Sequence, residues 1–338
     1  MTKRNLCWNG MLMKRKPFLL APAGKDYLWG GNRLKTDFAK ALPLAPLAET
    51  WECSTHPDGP SMVASGEYAG QSLGDVLSQN PDFLGTHPEK DGGLPILVKL
   101  IDAKQDLSIQ VHPTDAYAFA REQGQRGKTE MWYVLDAARD ASLIYGLSRD
   151  LDAETVRQAA RDGTLPRYLQ RVPVQPDDVF FVEAGTIHAL GAGALVAEIQ
   201  ESSNLTYRLY DYDRVDKNGQ KRSLHLEKAL EVADLGAAPE PRQPMRVLRY
   251  SPGAARELLC RCRYFEVYRL MVNTDRRQVV TYQADEYSFR VLLCVRGCGT
   301  IRFAGESLDI CRGDCLFVPA DSEELRIHGQ ISFLDIRG

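Results

Sequence analysis

The feature that most constrains the fold is a succession of short apolar segments, each bounded by glycine, proline or polar turn residues. Runs of about four to eight residues with this flanking chemistry are typical of strands in a β-sandwich or barrel. Helical periodicity is confined to a few stretches. The pattern therefore predicts an all-β fold with a few short helices. The predicted strands of the first half are Ile96–Ile101, Leu107–Val111, Met131–Leu135, Val179–Val182 and Leu195–Ile199, and the predicted helices are Asp115–Gln123, Asp152–Leu169 and Leu224–Leu235.

A change of composition at residues 236–244, where Ala, Pro and Glu dominate, indicates a linker. Beyond it the strand pattern resumes, and Thr300–Phe303 followed by Gly313–Pro319 has the rhythm of a small jelly roll. Because Met131–Leu135 and Pro176–Val182 repeat that rhythm upstream, we predict two related jelly-roll β-sandwiches in tandem. The expected units are a disordered extension at 1–16, a catalytic unit at 17–235 with a helical insertion near 152–169, and a non-catalytic unit at 236–338.

Composition excludes several classes of protein. The formal net charge is only −3, which argues against a nucleic-acid partner because such proteins usually carry a basic face. No stretch of about 18 apolar residues is present, and the basic N-terminus lacks the apolar segment of a signal peptide. We therefore expect a cytoplasmic protein without a membrane partner. The eight cysteines form no CxxC pair, so buried reduced thiols are expected.

Three short motifs place metal-ligating side chains on the predicted strands of the first unit. Residues two apart in a strand face the same side, so Gln110 and His112 project together. Lys128 and Glu130 share a face by the same period, and His188 closes a turn after another strand. Two imidazoles, a carboxylate and a weaker oxygen donor suit a catalytic zinc that keeps one position open. An Fe(II) site with two histidines and one carboxylate stays open as an alternative.

Charged residues interrupt apolar strands around this motif. Lys99 lies in the middle of an aliphatic run, Arg208 lies between Tyr207 and Leu209, and Glu198 lies within a third such segment. A buried cation is costly unless it meets an anion. Together with Lys128, the cationic side chains predict a pocket for a phosphorylated ligand, whereas pairing with structural carboxylates is the simpler alternative for each one alone.

These residues lie in segments that resemble the type I mannose-6-phosphate isomerases, in their short bacterial form. The resemblance runs over nearly the whole chain from about Pro17, and Ser108–Pro113 is its most specific part. It implies a cupin fold, that is, tandem cupin or jelly-roll sandwiches. The segments that carry it are Trp29–Gly31, Glu49–Glu52, Leu94–Asp115, Gly127–Val134, Ala184–Ala189 and Glu198–Arg214.

The resemblance implies interconversion of D-mannose 6-phosphate and D-fructose 6-phosphate by proton transfer between C1 and C2 through a cis-enediol. It implies one zinc ion per subunit and a sugar phosphate as the bound small molecule. It also implies a monomer or a weak homodimer. A non-catalytic sugar sensor and an Fe(II) dioxygenase are the alternatives, and neither explains the cationic residues. The implied zinc ligands are His112, Glu130 and His188, with Gln110 as a ligand or near neighbour; the catalytic residues are Arg208, Glu198 and Lys128; the substrate contacts are Lys99, Ser108, Lys128 and Arg208.

Overall fold

The structure is a computed structural model that describes residues 15–87, 93–215, 219–242, 247–275 and 278–338. The strands are β1 (Phe18–Ala21), β2 (Ala23–Lys25), β3 (Glu49–Cys53), β4 (Met62–Val63), β5 (Ile96–Asp102), β6 (Ile109–Val111), β7 (Glu130–Ala137), β8 (Ser142–Leu147), β9 (Leu169–Pro173), β10 (Val179–Val182), β11 (His188–Leu190), β12 (Ala194–Glu201), β13 (Tyr207–Tyr210), β14 (Leu248–Ser251), β15 (Ala254–Arg261), β16 (Glu266–Asn273), β17 (Val280–Tyr282), β18 (Arg290–Phe303), β19 (Glu306–Cys311), β20 (Cys315–Val318) and β21 (Leu325–Arg337). The helices are α1 (Arg33–Thr36), α2 (Leu73–Gln79), α3 (Asp115–Arg121), α4 (Ala153–Arg161) and α5 (Leu226–Val232), with 3-10 turns at Pro81–Leu84 and Leu165–Tyr168.

These strands form three mainly antiparallel sheets. The five-stranded sheet has the order β13-β6-β11-β8-β9, and the six-stranded sheet has the order β10-β7-β12-β5-β3-β2. The ten-stranded sheet runs β14-β15-β16-β21-β18-β20-β1-β4, with β17 added to β21 and β19 added to β18. The all-β class and the five strands predicted for the first half are confirmed.

The six-stranded sheet lies in the middle of a layered core. Alternate residues of its strands point to opposite faces, because the side-chain period of a strand is two. Val98 and Leu100 of β5 pack in one apolar cluster with Phe317 and Leu334 of the ten-stranded sheet. Ile101 packs on the other face, in a cluster with residues of the five-stranded sheet. Side chains of the six- and five-stranded sheets that face each other therefore share one interior.

The outer face of the five-stranded sheet is covered by helices. Helix α4 begins at the N-cap Asp152, whose carboxylate accepts the N–H of Thr155, and it buries Val156 and Ala160 against the sheet. Helix α5 covers the neighbouring part of the same cluster through Ala229. All three predicted helical regions contain helix. The region 152–169 is shorter in helix than expected, because a 3-10 turn and β9 take over its second half.

The ten-stranded sheet draws strands from both ends of the chain. β1 pairs with β20 in antiparallel register, with Phe18 opposite Phe317. The Phe18 and Phe317 rings stack at 5.2 Å, and Phe289 stacks on Phe317 at 5.4 Å. β1, and β4 paired with it, are thereby part of a sheet whose other strands come from residues 248–337. The unit boundary at 235 stays a prediction, although sheet membership does not follow it.

The predicted extension at 1–16 lies outside the described residues except for its last two. Arg15 donates to the carbonyl oxygen of Ala320 at 2.7 Å, and Lys16 pairs with Glu306 at 2.6 Å. These two residues are therefore held against the ten-stranded sheet. Across the described ranges, none of the helices combines the length and apolar character needed to cross a bilayer.

Candidate metal and sugar-phosphate site

The site lies between the six- and five-stranded sheets, where two rows of cross-strand neighbours face each other. In the five-stranded sheet, Gln110 lies opposite both Arg208 and His188. In the six-stranded sheet, Glu198 lies opposite both Trp132 and Lys99, and Lys99 lies opposite Trp51. The rings of His188 and Trp132 approach to 5.5 Å and join the two rows. Register alone thus brings together residues from widely separated parts of the chain.

His112 and His188 present matching nitrogen atoms to the interior. Nδ1 of His112 lies 3.0 Å from the carbonyl oxygen of Leu205, and Nδ1 of His188 lies 2.8 Å from that of Thr186. A carbonyl oxygen only accepts, so each Nδ1 carries the proton and each Nε2 keeps its lone pair. The two Nε2 atoms are 3.1 Å apart. Burial lowers the pKa of His112 well below its usual range and that of His188 to about 4, so both rings stay neutral.

Glu130 completes this group. Its Oε1 lies 3.4 Å from Nε2 of His188 and is a buried oxygen without a hydrogen-bond partner, while Oε2 accepts from Lys128 at 2.5 Å. One ligand atom each from His112, Glu130 and His188 falls within 4.8 Å of the other two. Convergent lone pairs with an orphaned carboxylate oxygen fit a divalent ion. The three residues can therefore hold a metal.

Gln110 and Ser108 flank the cluster. Nε2 of the Gln110 amide lies 3.4 Å from Nε2 of His188, so the amide borders the same space as the imidazole. Gln110 and His112 point to the same side, as the strand period predicts, because both approach His188. Ser108 is buried directly before β6. Its role as a substrate contact stays a prediction.

Glu198 lies in the centre of the second row, where it accepts two hydrogen bonds and has a second cation nearby. Its Oε1 lies 3.0 Å from Nζ of Lys99 and 3.7 Å from Nζ of Lys128, and Oε2 accepts from Nε1 of Trp132 at 3.0 Å. Burial alone would raise the pKa of Glu198, but Lys128 and Lys99 lower it below its usual range. Burial and the charge of Glu198 raise the pKa of Glu130. Glu198 is therefore a carboxylate at neutral pH.

Arg208 lies at the other side of the cluster, on β13. Its Nε is buried and has no hydrogen-bond partner, and burial together with the nearby Arg222 lowers its pKa. Arg222 is itself held by both carboxylate oxygens of Asp211, at 2.8 and 2.6 Å. An arginine with an unpaired buried donor beside a second cation favours an anionic ligand. Arg208 thus lies beside Gln110, whereas Lys99 and Lys128 lie at Glu198, and their convergence on one phosphorylated ligand stays a prediction.

Three contributors were not identified from sequence. Trp132 donates to Glu198, Arg222 adds charge near Arg208, and Lys99 lies over the Trp51 ring at 5.1 Å. Trp132 and Trp51 belong to segments that support the family resemblance, but nothing in their spacing shows which strand they face. Their contacts depend on strand register. The sequence signal that could have identified the two tryptophans is an aromatic residue close to a charged residue in an apolar segment.

Comparison with known proteins gives a consistent result. Residues 18–133 match the family model described as phosphomannose isomerase type I, catalytic domain, and residues 256–337 match that of the mannose-6-phosphate isomerase cupin domain. A mannose-6-phosphate isomerase of Streptococcus mutans is 33% identical over 94% of this chain and 97% of its own. ManA of Bacillus subtilis, also a mannose-6-phosphate isomerase, is 41% identical over 68% of this chain and 71% of its own.

A solved structure extends the comparison to three dimensions. The crystal structure of a mannose 6-phosphate isomerase from Bacillus subtilis superposes with a TM-score of 0.87 at 33% identity, covering 95% of this chain and 99% of that one. The likeness therefore includes the sheets that build the site as well as the cupin unit near the C-terminus. On the identity, the coverage and the shared fold, this chain belongs to the type I phosphomannose isomerase family, whose members are cupin-fold aldose–ketose isomerases.

Proposed function

We propose that the protein interconverts D-mannose 6-phosphate and D-fructose 6-phosphate, by moving a proton between C1 and C2 of the open-chain sugar. One observation carries the proposal: an ionised carboxylate, Glu198, lies between two lysines and beside a cluster that can hold a metal. Such a set contains a base, charge stabilisation and an electrophile site. Those are the parts that an aldose–ketose isomerisation needs.

We propose zinc as the metal, one ion per chain, held by His112, Glu130 and His188 with Gln110 at its edge. Neutral imidazoles and a carboxylate are ligands that zinc prefers, and the backbone carbonyl behind each ring fixes its tautomer. A bound divalent ion supplies Lewis-acid polarisation of the sugar carbonyl and stabilises negative charge on oxygen. The same set of two histidines and one carboxylate also suits Fe(II), and metal analysis distinguishes the two ions.

Glu198 is the proposed proton carrier. As a carboxylate at neutral pH it can take the proton from one carbon and return it to the next on the same face, through a cis-enediol. Trp132 and Lys99 hold its two oxygens from opposite sides and so fix its orientation. Lys128 lies 3.7 Å from Glu198 and donates to Glu130, which suits it to move a proton at a sugar oxygen.

The cationic residues account for the phosphorylated substrate. Arg208 offers a buried donor without a partner, and we assign it to stabilising charge on the substrate. Lys99 is buried on β5 and Ser108 is buried directly before β6, and we assign both to substrate contact. A cytoplasmic location, a monomer or weak homodimer, and the lack of nucleic-acid and membrane partners stay predictions.

A coupled assay tests the function. Fructose 6-phosphate formed from mannose 6-phosphate is converted onward by auxiliary enzymes to a product that reduces NADP⁺, and turnover is compared for chelated and zinc-reloaded protein. We expect activity to disappear on chelation and return with zinc. Solvent deuterium should enter the product at the carbon that receives the proton. Binding of mannose 6-phosphate without turnover under any divalent ion would contradict the isomerase and support a sugar sensor.

A further inference from the structure

Two exposed cysteines lie directly opposite each other on the hairpin formed by β18 and β19. Cys298 and Cys311 are Cα partners in that antiparallel ladder, and both side chains are exposed. The other cysteines of the described ranges are buried or half-buried. The expectation of buried thiols is therefore wrong for this pair. Because both thiols are exposed, reagents in solution can reach them, which is not so for a buried thiol.

The hydrogen-bond pattern shows which kind of cross-strand pair they form. In an antiparallel ladder, the two residues of a non-hydrogen-bonded pair do not bond each other. The hydrogen bonds run instead between the residues on either side of that pair. The N–H of Arg312, which follows Cys311, donates to the carbonyl oxygen of Gly297, which precedes Cys298, at 3.0 Å. Cys298 and Cys311 therefore occupy a non-hydrogen-bonded position. Such positions bring Cα atoms to about 4.5 Å, within the range that a disulfide spans.

The two faces of the hairpin explain why the thiols are accessible. Ile301 and Ile310 point into an apolar core on one face. Cys298, Cys311 and the next pair on the same face, Thr300 and Asp309, point outward, and Thr300 donates to Asp309 at 3.0 Å. Burial and the neighbouring Cys298 raise the pKa of Cys311, so the two thiols are close enough to influence one another. Oxidants can therefore reach a preformed pair.

We propose that Cys298 and Cys311 are a redox modification site, at which a low-molecular-weight disulfide such as oxidised glutathione converts the two thiols to an intrachain cross-strand disulfide. One thiolate attacks a glutathione sulfur, forming a mixed disulfide and releasing one reduced glutathione. The second cysteine thiolate then attacks the protein sulfur of that mixed disulfide, and the second glutathione leaves. Two protein thiols are oxidised, one glutathione disulfide is reduced, and the two thiol protons pass to the departing glutathiones.

The location separates this chemistry from the metal site. The hairpin belongs to the ten-stranded sheet, whereas His112, Glu130 and His188 come from the five- and six-stranded sheets or the loop beside them. Closing the bond ties the added strand β19 to β18. We therefore expect the disulfide to raise resistance to unfolding without changing turnover. The thiolate is the reactive form, so oxidation should be faster at higher pH.

The test uses the full chain, incubated with oxidised glutathione and then alkylated, digested and mapped by mass spectrometry. We expect a linked pair of peptides containing Cys298 and Cys311, in a chain lighter by two hydrogen atoms. The midpoint of thermal unfolding should rise by a few degrees and fall back on reduction. Cys298→Ser and Cys311→Ser should each abolish the linkage and the shift, while both variants keep the fold because the positions are exposed.

A matched variant controls for the mere presence of two exposed thiols. C298S/T300C keeps two cysteines on the same face but sets them diagonally, at about 7–8 Å, where a disulfide does not close without backbone movement. Its rate of intrachain oxidation should be at least about tenfold lower. The proposal is overturned if oxidised glutathione leaves Cys298 and Cys311 unlinked to each other, whether as free thiols, mixed disulfides or bonds to other cysteines. It is equally overturned if the diagonal variant closes as fast as the native pair.

Discussion

His112 and His188 present their Nε2 atoms to each other at 3.1 Å, and each ring is held from behind by a backbone carbonyl oxygen. Two lone pairs at that distance repel unless a cation lies between or beside them. His112→Ala removes one of them, so we expect the affinity for zinc to fall at least about 100-fold. Metal content after dialysis, measured by atomic emission, should drop accordingly and activity with it.

His328→Ala is the matched control for the metal prediction. His328 lies on β21 in the ten-stranded sheet, away from the cluster. This variant should retain the metal and the activity of the parent protein. Equal metal content in the two variants would show that His112 is not a ligand.

Glu198→Gln should leave the protein folded and nearly inactive. The amide oxygen can still accept from Trp132, but the side chain no longer takes up a proton. Loss of a general base typically costs about 10²–10⁴-fold, so we expect kcat to fall by that factor with little change in KM. Steady-state kinetics and solvent-deuterium incorporation measure the effect.

Glu201→Gln is the control for the base. Glu201 is on the same strand, β12, but faces the opposite side from Glu198, because the two residues are three apart. The same chemical change there should keep kcat within about twofold of the parent. Turnover of Glu198→Gln near that of Glu201→Gln would assign the proton transfer to another group, with Lys128 the first to test.

The strand period accounts for what the sequence could predict of this site. A spacing of two placed Gln110 with His112, and Lys128 with Glu130, on common faces before any pairing was known. The row that joins Trp132, Glu198 and Lys99 could not be predicted from the sequence, since Lys99 and Glu198 are 99 residues apart in the chain. Register between distant strands depends on the packing of whole sheets, which a local pattern does not contain.

Other differences have similar causes. Helix α2 was not predicted, although Ser72 and Asp75 supply an N-cap, because its apolar run is only a few residues long. The membership of β1 in the ten-stranded sheet depends on pairing with β20, almost three hundred residues away along the chain, roughly the whole length of the fold. Exposure of Cys298 and Cys311 follows from which face of one hairpin meets the core.

Arg208→Ala should impair catalysis as well as binding. The buried Nε has no partner within the described protein atoms, so its donor is available to the substrate. We expect kcat/KM for mannose 6-phosphate to fall by about 10²–10³-fold, with part of the loss in kcat. Arg157→Ala, which removes a surface ion pair with Glu154 and Glu227, should leave both constants unchanged. A loss confined to KM would limit Arg208 to substrate binding.

Glu201 gives the protein a pH-dependent stability that can be measured apart from activity. Burial, followed by the charge of Asp115, raises the pKa of Glu201 to about 8, whereas an unfolded glutamate titrates near about 4.3. Below the unfolded value both states are protonated, and the contribution of the neutral side chain to stability is complete. As pH rises from there towards the folded pKa, the unfolded chain releases a proton that the folded chain retains. The free energy of unfolding therefore falls, by at most about 1.4 kcal/mol per pH unit.

Glu201→Gln removes this titration and keeps an oxygen that can accept the N–H of Thr129. We expect the difference in unfolding free energy, variant minus parent, to become more positive from pH 5 to pH 9, because only the parent is destabilised by deprotonation of Glu201. Urea unfolding at pH 5, 7 and 9 measures the two curves. Glu154→Gln, at an exposed carboxylate in the first turn of α4, should give a curve parallel to that of the parent. Parallel curves for Glu201→Gln as well would mean that the folded protein holds Glu201 with an ordinary pKa.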